Sequence, residues 1–596
     1  MLCRPELTGP RGAVAATHWL GAQSGMAMFD LGGNAFDAAT AAALVIQVVE
    51  PHLNGPAGDV PIMVHRAGDD GVRVICGQGP MPAAATIDRF RDLGLSAVPG
   101  SGLLAASVPG AFGAWMRLLL EYGRLRLADV LAPAIRYAES GYPLLPKASA
   151  MIDSLAELFR EEWAESGRTY LHGANAPRPG ARLRNPALAA TFRRILAEAT
   201  AATGDRDGQI EAAVATFYQG FVAEAIDKFS ASPMIDATGR RHASLLTGQD
   251  IAGWRAGVED SVSLDYRGHS VHKPGPWSQG PVFLQQLALL DGIDLASTQR
   301  GGADHLHTIV EAAKLAFADR EAWYGDPEHA DVPLKTLLDK QYNDMRRTLI
   351  GDRASDTLRP GEPDGRTAWI PPLDPTLSTP TRPSWRTQLA DGIPAVVRLT
   401  EANGDTCCVT ATDADGNMVV ATPSGGWLKS SPVVPGLGFP LGTRGQMAWL
   451  VDGHNNSLAP GKRPRTTLSP TLVLRDGRAH LAFGTPGGDQ QDQWTLNFFL
   501  NNVEFGLGPQ AAVEALAFHT DHVPSSFTPR RSRPLSLVVE RGADPDVLAE
   551  LRRRGHEIDI VDAHSLGKVC ATGIGADGFV LAAASPRGEQ AYAVAG

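Results

Sequence analysis

Residues 404–427, GDTCCVTATDADGNMVVATPSGGW, hold the arrangement in this chain best suited to chemistry at a carbonyl. A polar turn, Asn403-Gly404-Asp405, leads to Thr406, and an apolar, β-branched run then reaches Asp413-Ala414-Asp415-Gly416-Asn417. These turn residues tolerate positive φ and stand between two strand-like runs, so the pattern predicts a β-hairpin. Thr406 by itself is an ordinary opening to a strand. If the chain is cut before it, the new first residue carries a hydroxyl and a free α-amine together. An α-amine has an ordinary pKa of about 7.7–8.0, which lets it accept the proton of its own hydroxyl near neutral pH. One residue then serves as nucleophile and base.

The elements that must hold such a residue are legible on both sides of it. Residues 31–59 open on a Gly-Gly-Asn turn, continue as an alanine-rich helix suited to close packing on a sheet, and stop in a Gly/Pro-rich segment after Glu50. Residues 107–141 predict a helix, a Tyr-Gly turn and a second helix ending at a glycine, with Trp115, Leu118, Leu119 and Leu120 on a buried face. From Thr216 the pattern runs through a helix, alternating strands, a Pro/Gly loop and another helix, and residues 311–327 read as a helix with a clear stop. Within that helix Asp319 and Arg320 are expected at the solvated surface, although an ion-pair network would use the same two residues. Residues 352–404 are rich in proline and polar side chains, with weak periodicity, and are expected to be loop-like or mobile.

Composition narrows the function classes. Of 596 residues, 43% are hydrophobic and 20% charged, ordinary for a globular chain with a large core, and the net charge of −11 gives no reason to expect nucleic acid or an anionic membrane as partner. No run of about 18 apolar residues occurs, and the first residues lack a basic segment followed by an apolar stretch, so a cytoplasmic protein is the expectation. The five cysteines, Cys3, Cys76, Cys407, Cys408 and Cys570, form no CxxC pair and are expected to be reduced. Cys407 and Cys408, adjacent in a strand, face opposite ways and are expected to pack as small hydrophobes instead of sharing a metal. No phosphate loop, HExxH helix, GxSxG elbow or dinucleotide fingerprint stands out, and neither metal nor cofactor is expected.

Several strings together resemble the γ-glutamyltransferases, N-terminal-nucleophile hydrolases whose precursors cut themselves before a threonine. They are GGNAFDAA with VVEPH (32–52), the VPG-initiated helix near residue 108, EAAKLAFADREAWYGDP (311–327), GKRPRTTLSPTLVL (461–474), FGTPGGD (483–489) and the closing ASPRGEQAYAVAG, all in the family's order. Where the family has several consecutive glycines this chain has Gly55-Pro56-Ala57-Gly58-Asp59. The resemblance implies an α+β fold, a four-layer αββα sandwich. It also implies a cut before Thr406 into a large fragment 1–405 and a small fragment 406–596, which share one domain. The proline-rich tail would then leave the active-site mouth.

The resemblance also assigns roles. Ser424 falls where the family has a second threonine touching the nucleophile. Gly487 and Gly488, lacking Cβ atoms, would present backbone amides as an oxyanion hole, each such donor commonly worth about 3 kcal/mol. Thr466 and Thr467 replace two serines and, with Gln446 nearby, would orient an acyl group. Recognition of glutamate is altered: Gln78 stands for the arginine that holds the α-carboxylate, and Gly426 and Trp449 stand for an asparagine and an acidic residue. An amide in place of a guanidinium removes a bidentate charged clamp. The implied activity is hydrolysis or transfer of γ-glutamyl groups from compounds such as glutathione. The alternatives are hydrolysis of another small, oxamate-like amide, or an uncleaved scaffold without activity. The expected partners are a small amide and the two fragments of one precursor.

Overall fold

The computed structural model describes residues 2–372, 406–528, 530–587 and 591–596. Its strands include β1 (Leu7–Gly9), β2 (Gly12–Ala16), β3 (Val60–His65), β4 (Arg73–Gly77), β5 (Gly257–Asp260), β6 (Val262–Tyr266) and β7 (His269–Lys273). Beyond Thr406 follow β8 (Val409–Asp413), β9 (Met418–Ala421), β10 (Thr471–Arg475), β11 (Arg478–Gly484), β12 (Cys570–Ile574), β13 (Val580–Ala584) and β14 (Tyr592–Ala595). They make two seven-stranded sheets, ordered β1-β13-β12-β11-β10-β7-β6 and β14-β2-β8-β9-β3-β4-β5. Each sheet draws strands from both sides of Thr406.

The alternation of side chains along each strand sorts the core into layers. Ala15, Met63, Cys408, Met418, Val420, Leu472, Ala482 and Cys570 meet between the sheets. On the outer face of the second sheet, Val14, Cys407, Val409 and Ala421 pack against the helices Ala35–Val49 and Ala111–Tyr122. On the outer face of the first, Val271, Val473 and Phe483 pack against the helices Gly280–Leu290 and Ala303–Trp323. The result is the four-layer αββα sandwich. Thr410 and Thr412 both share hydrogen bonds with Thr572, at 2.7 and 2.8 Å, tying the sheets together by hydroxyls.

Local reading and structure agree closely around the hairpin. β8 and β9 pair antiparallel from Val409 opposite Ala421 to Thr412 opposite Met418, and Gly416 in the turn has φ of 95°. The alanine-rich helix runs Ala35–Val49 with every residue buried, opened by a reciprocal cap between Asn34 and Asp37. Cys407 and Cys408 do face opposite layers. The helix expected at 311–327 is longer toward its N-terminus, spanning Ala303–Trp323, and its second half is buried on all sides. The expectation that Asp319 and Arg320 lie at the surface is therefore wrong: both are fully buried. Residues 352–372 contain one short 3-10 turn, Pro363–Gly365, and the remainder of the proline-rich segment, 373–404, lies outside the described residues. Among the described residues no helix is long and apolar enough to cross a membrane.

Asp413 couples the hairpin to the layer above. Its carboxylate accepts from the Asn417 amide at 3.0 Å and from Ala35 N, the first residue of the buried helix, at 3.0 Å. Hydrogen bonds to a buried carboxylate are worth about 1.5–3 kcal/mol each. Asp413→Ala is expected to lower the thermal unfolding midpoint clearly, whereas Asp415→Ala, which removes an exposed partner of Arg124, leaves it nearly unchanged.

Candidate active site

Thr406 continues the β8 edge by one isolated bridge to Ser424, with Cys407 N donating to Pro423 O at 2.9 Å between them. Directly opposed residues of an antiparallel pair put their side chains on one face. The Thr406 hydroxyl accordingly donates to Ser424 Oγ at 3.4 Å, and both residues are buried. Asp405, whose carbonyl Thr406 is expected to attack, lies outside the described residues. Ser424 is bridged on its other side to Asp59, with Asp59 N donating to Ser424 O at 2.8 Å and Ser424 N to Asp59 O at 2.9 Å.

That second bridge explains the glycines around it. A Cβ on Gly58 would lie 2.1 Å from Ser424 O, and one on Gly55 2.6 Å from Gly426 O, so at these two positions the loop fits only as bare backbone. Gly425 and Gly426 turn away at φ of 71° and 63°, which glycine adopts without strain. Gly426 thus belongs to the turn beside Ser424 and offers no side chain.

Cys407 directly follows Thr406 but is no rival nucleophile. Burial, reinforced by the neighbouring Glu50, pushes its thiol well above the ordinary value. Its sulfur lies 3.2 Å from Glu50 Oε2, which also accepts from Thr17 Oγ1 at 2.5 Å, and Asn54 Nδ2 donates to it at 3.1 Å.

The Gly487–Gly488 turn leaves β11 at the same end of the sandwich. A Cβ on Gly484, three residues before the turn, would lie 3.0 Å from Cys408 Sγ and 3.0 Å from Thr422 Cγ2, each two residues from the Thr406 and Ser424 pair. Gly487 has φ of 144° with Trp494 filling the space of a Cβ at 2.3 Å, and Gly488 has φ of 54°. The turn is pinned from behind: Gln279 Nε2 donates to Gly488 O at 3.3 Å, and Asp489 accepts from Arg320 at 2.6 Å and from Ser526 N at 2.9 Å.

Arg320 and its neighbour Glu321 hold the other loop as well. Glu321 Oε1 accepts from Arg320 NH2 at 2.6 Å and from Arg465 NH2 at 2.7 Å, and Arg465 NH1 donates to Arg320 O at 2.9 Å. Burial alone would raise the Glu321 carboxyl, but Arg465 and Arg320 outweigh it and hold it at about 2. Arg465 leads into Thr466 and Thr467, both buried, with Thr466 N donating to Trp277 O at 2.9 Å. Ser469 Oγ then donates to Asp492 at 2.6 Å, joining this loop to the helix that follows the glycine turn.

Gln78 is buried after β4, with Nε2 donating to Gly79 O at 3.4 Å and Oε1 unpartnered. Its segment is joined to the threonine loop through Met81 N, which donates to Lys462 O at 2.8 Å. Gln446 lies in the turn Arg444–Met447, with Oε1 unpartnered and Nε2 donating to Thr443 Oγ1 at 3.3 Å. Trp449, just beyond, is half-buried, its ring stacked under the Arg530 guanidinium at 3.9 Å. Burial lowers Arg530 to about 9.

The sequence reading missed Asp59 and Arg444, which pair at 2.8 Å beside Ser424. Burial pushes the Asp59 carboxyl up, with Arg444 opposing. The one signal available was Asp59 at the end of an otherwise small-residue loop. Away from this site, His307, Glu311 and His556 bring possible metal-ligand atoms within 4.8 Å of one another. Glu311 already accepts from Lys314 at 2.7 Å and from Arg359 at 3.0 Å, however, which suits a buried hydrogen-bond network.

A family model described as gamma-glutamyltranspeptidase matches residues 21–595. The chain belongs to the gamma-glutamyltranspeptidase family. It is 30% identical to the "glutathione hydrolase-like YwrD proenzyme" of Bacillus subtilis, over 98% of this chain and 99% of that protein. Among solved structures it is similar to one titled "Structure of LmbA2991HD", with 51% identity, complete coverage of both chains and a TM-score of 0.92. It also resembles cephalosporin acylase from Bacillus halodurans, with 28% identity, 100% of this chain and 97% of that one covered, and a TM-score of 0.81. Membership makes this an N-terminal-nucleophile hydrolase fold in a family of autoprocessed amidohydrolases.

Because Glu321 is held below its ordinary carboxyl range, it contributes stability at pH above about 4.5, and that contribution is lost as pH falls toward 2. Glu321→Gln is expected to cost about 3–5 kcal/mol at neutral pH by leaving buried guanidiniums short of a counter-charge. Its acid-unfolding curve should correspondingly be flatter than that of the parent between pH 4.5 and 2. Thermal unfolding across pH measures both.

Proposed function

We propose that the chain is a self-processing amidohydrolase with Thr406 as nucleophile. The observation that carries this reading is the buried pairing of the Thr406 and Ser424 hydroxyls, directly after the expected cut, at the start of the chain leading into the interior strand β8. The Thr406 hydroxyl attacks the carbonyl of Asp405, the amide becomes an ester, and water splits the ester into fragments 1–405 and 406–596. In the mature enzyme the freed α-amine takes the hydroxyl proton as the oxygen attacks a substrate amide. The Gly487 and Gly488 amides hold the oxyanion, and the α-ammonium returns the proton to the leaving amine. Water then releases the acyl group, or an acceptor amine takes it.

Gamma-glutamyl compounds such as glutathione are the first acyl donors to consider, by family. A second reading, a small non-glutamyl amide, is favoured by two observations: the neutral Gln78 at the position of the family's carboxylate-binding arginine, and Trp449, covered by Arg530, at that of its acidic residue. Thr466, Thr467 and Gln446 orient the acyl group in either case.

Denaturing electrophoresis of the purified protein is expected to show two fragments, with the smaller beginning at Thr406 by N-terminal sequencing. Thr406→Ala is expected to stay full-length and lose roughly 10³-fold or more of amidase activity. A Thr406→Ala protein that is still cut and still active rules the assignment out. Rates on a γ-glutamyl anilide and on non-glutamyl anilides decide between the two acyl groups.

A further inference from the structure

We propose that Lys273 is a positioning residue for the amide hydrolysis: through Asp492 it fixes the loop carrying Thr466 and Thr467 against the turn carrying Gly487 and Gly488. This rests on those two segments serving the Thr406 nucleophile.

The pair stands where both segments end. Lys273 is the last residue of β7, and Asp492 lies in the first turn of the helix Gln491–Val503, which follows the glycine turn. Lys273 Nζ donates to Ser469 O at 3.0 Å and to Thr471 Oγ1 at 2.9 Å, and it lies 2.8 Å from Asp492 Oδ1. That carboxylate oxygen also accepts from Ser469 Oγ at 2.6 Å, and Ser469 N donates to Gln491 Oε1 at 3.2 Å. All three donors of the ammonium are therefore used, two on the chain just after Thr467 and one on the helix just after Gly488. The Gln279 side chain stands beside the Asp492 carboxylate and donates to Gly488 O at 3.3 Å, which carries the same restraint back to the turn.

Two holds act on the threonine loop from opposite ends. Arg320 and Glu321 hold it before its threonines, at Arg465, whereas Lys273 and Asp492 hold it after them, at Ser469. A short loop fixed at one end can pivot; fixed at both, it keeps its place.

The energetics point the same way. Lys273 and Asp492 are both fully buried, and Phe283 closes over the ammonium with its ring centre 4.6 Å away. Burial pushes the lysine amine down and the aspartate carboxyl up, each opposed by its partner. An ion pair so enclosed is often no more stabilising than apolar side chains of similar volume, so stability does not account for it. What it adds is direction: hydrogen bonds of fixed length to two segments that lie outside the strand ladders. Displacing a reacting centre by about 1 Å can cost on the order of 100-fold in rate.

The test compares the parent with the double variant Lys273→Met with Asp492→Asn, which leaves no buried charge unpaired, and with Ser469→Ala, which removes one tether and keeps the ion pair. On the best anilide substrate of the parent, the double variant is expected to lose roughly 10- to 100-fold in kcat with KM changed by less than about threefold, and its thermal midpoint to stay within about 3 °C. Ser469→Ala should lose about three- to tenfold in kcat, again with KM held, so a double variant that does not fold leaves the question decidable. Amide hydrogen exchange followed by mass spectrometry needs no turnover. Peptides covering 466–471 and 485–491 should exchange at least about fivefold faster in either variant, with those of β8 and β9 unchanged. Unchanged kcat, a fall in kcat matched by a rise in KM, or exchange that quickens throughout both sheets overturns the proposal. A parent that is uncut and inactive sinks the nucleophile reading, and the exchange at the two segments then still decides whether Lys273 and Asp492 hold them.

Discussion

The Arg320 guanidinium, fully enclosed in the half of the helix Ala303–Trp323 that is buried on all sides, is the constraint on which the rest of the site depends. It faces Glu321 and Asp489 at 2.6 Å each and Gln279 at 2.9 Å, and Glu321 in turn holds Arg465. Removing charges from water is costly, so such a cluster depends on opposite charges held close together. Two loops distant in sequence, the one carrying Thr466 and Thr467 and the one carrying Gly487 and Gly488, are thereby set against one rigid post. Neither loop has a regular ladder of its own to fix it.

Around Thr406 the constraint is different in kind. The hairpin strand β8 sits between β2 and β9, with Thr17 N donating to Cys408 O at 3.1 Å, so the backbone beside Thr406 is paired on both sides. Beyond Ser424, the 55–58 loop takes the place of a strand, and at Gly55 and Gly58 its closeness leaves no room for a side chain. Both sheets combine strands from either side of Thr406, so a break in front of that residue would remove no layer from the core. The same packing raises the thiols of Cys407 and Cys408 and leaves the hydroxyl row as the chemistry available at this edge.

Local sequence determined a good deal. The turn at Asp413 to Asn417, the opposed faces of Cys407 and Cys408, the capped alanine-rich helix Ala35–Val49 and the glycine stop at Gly141 all follow from preferences that act within a few residues: φ, side-chain period and short-range capping. The order of the strings placed the chain in its family and with it the four layers. What only the tertiary structure decided was the state of the charges. Arg320 and Asp319, which a helix surface would have left in water, are interior because the helices Gly280–Leu290 and Lys340–Arg347 and the segments carrying Gly361, Arg465 and Asp489 close over them. Asp59 meets Arg444 across 385 positions of chain, and Trp449 meets Arg530 through a contact that no periodicity announces. Whether a polar side chain is solvated, paired or left with an idle atom depends on what packs against it, and that is a property of the whole fold.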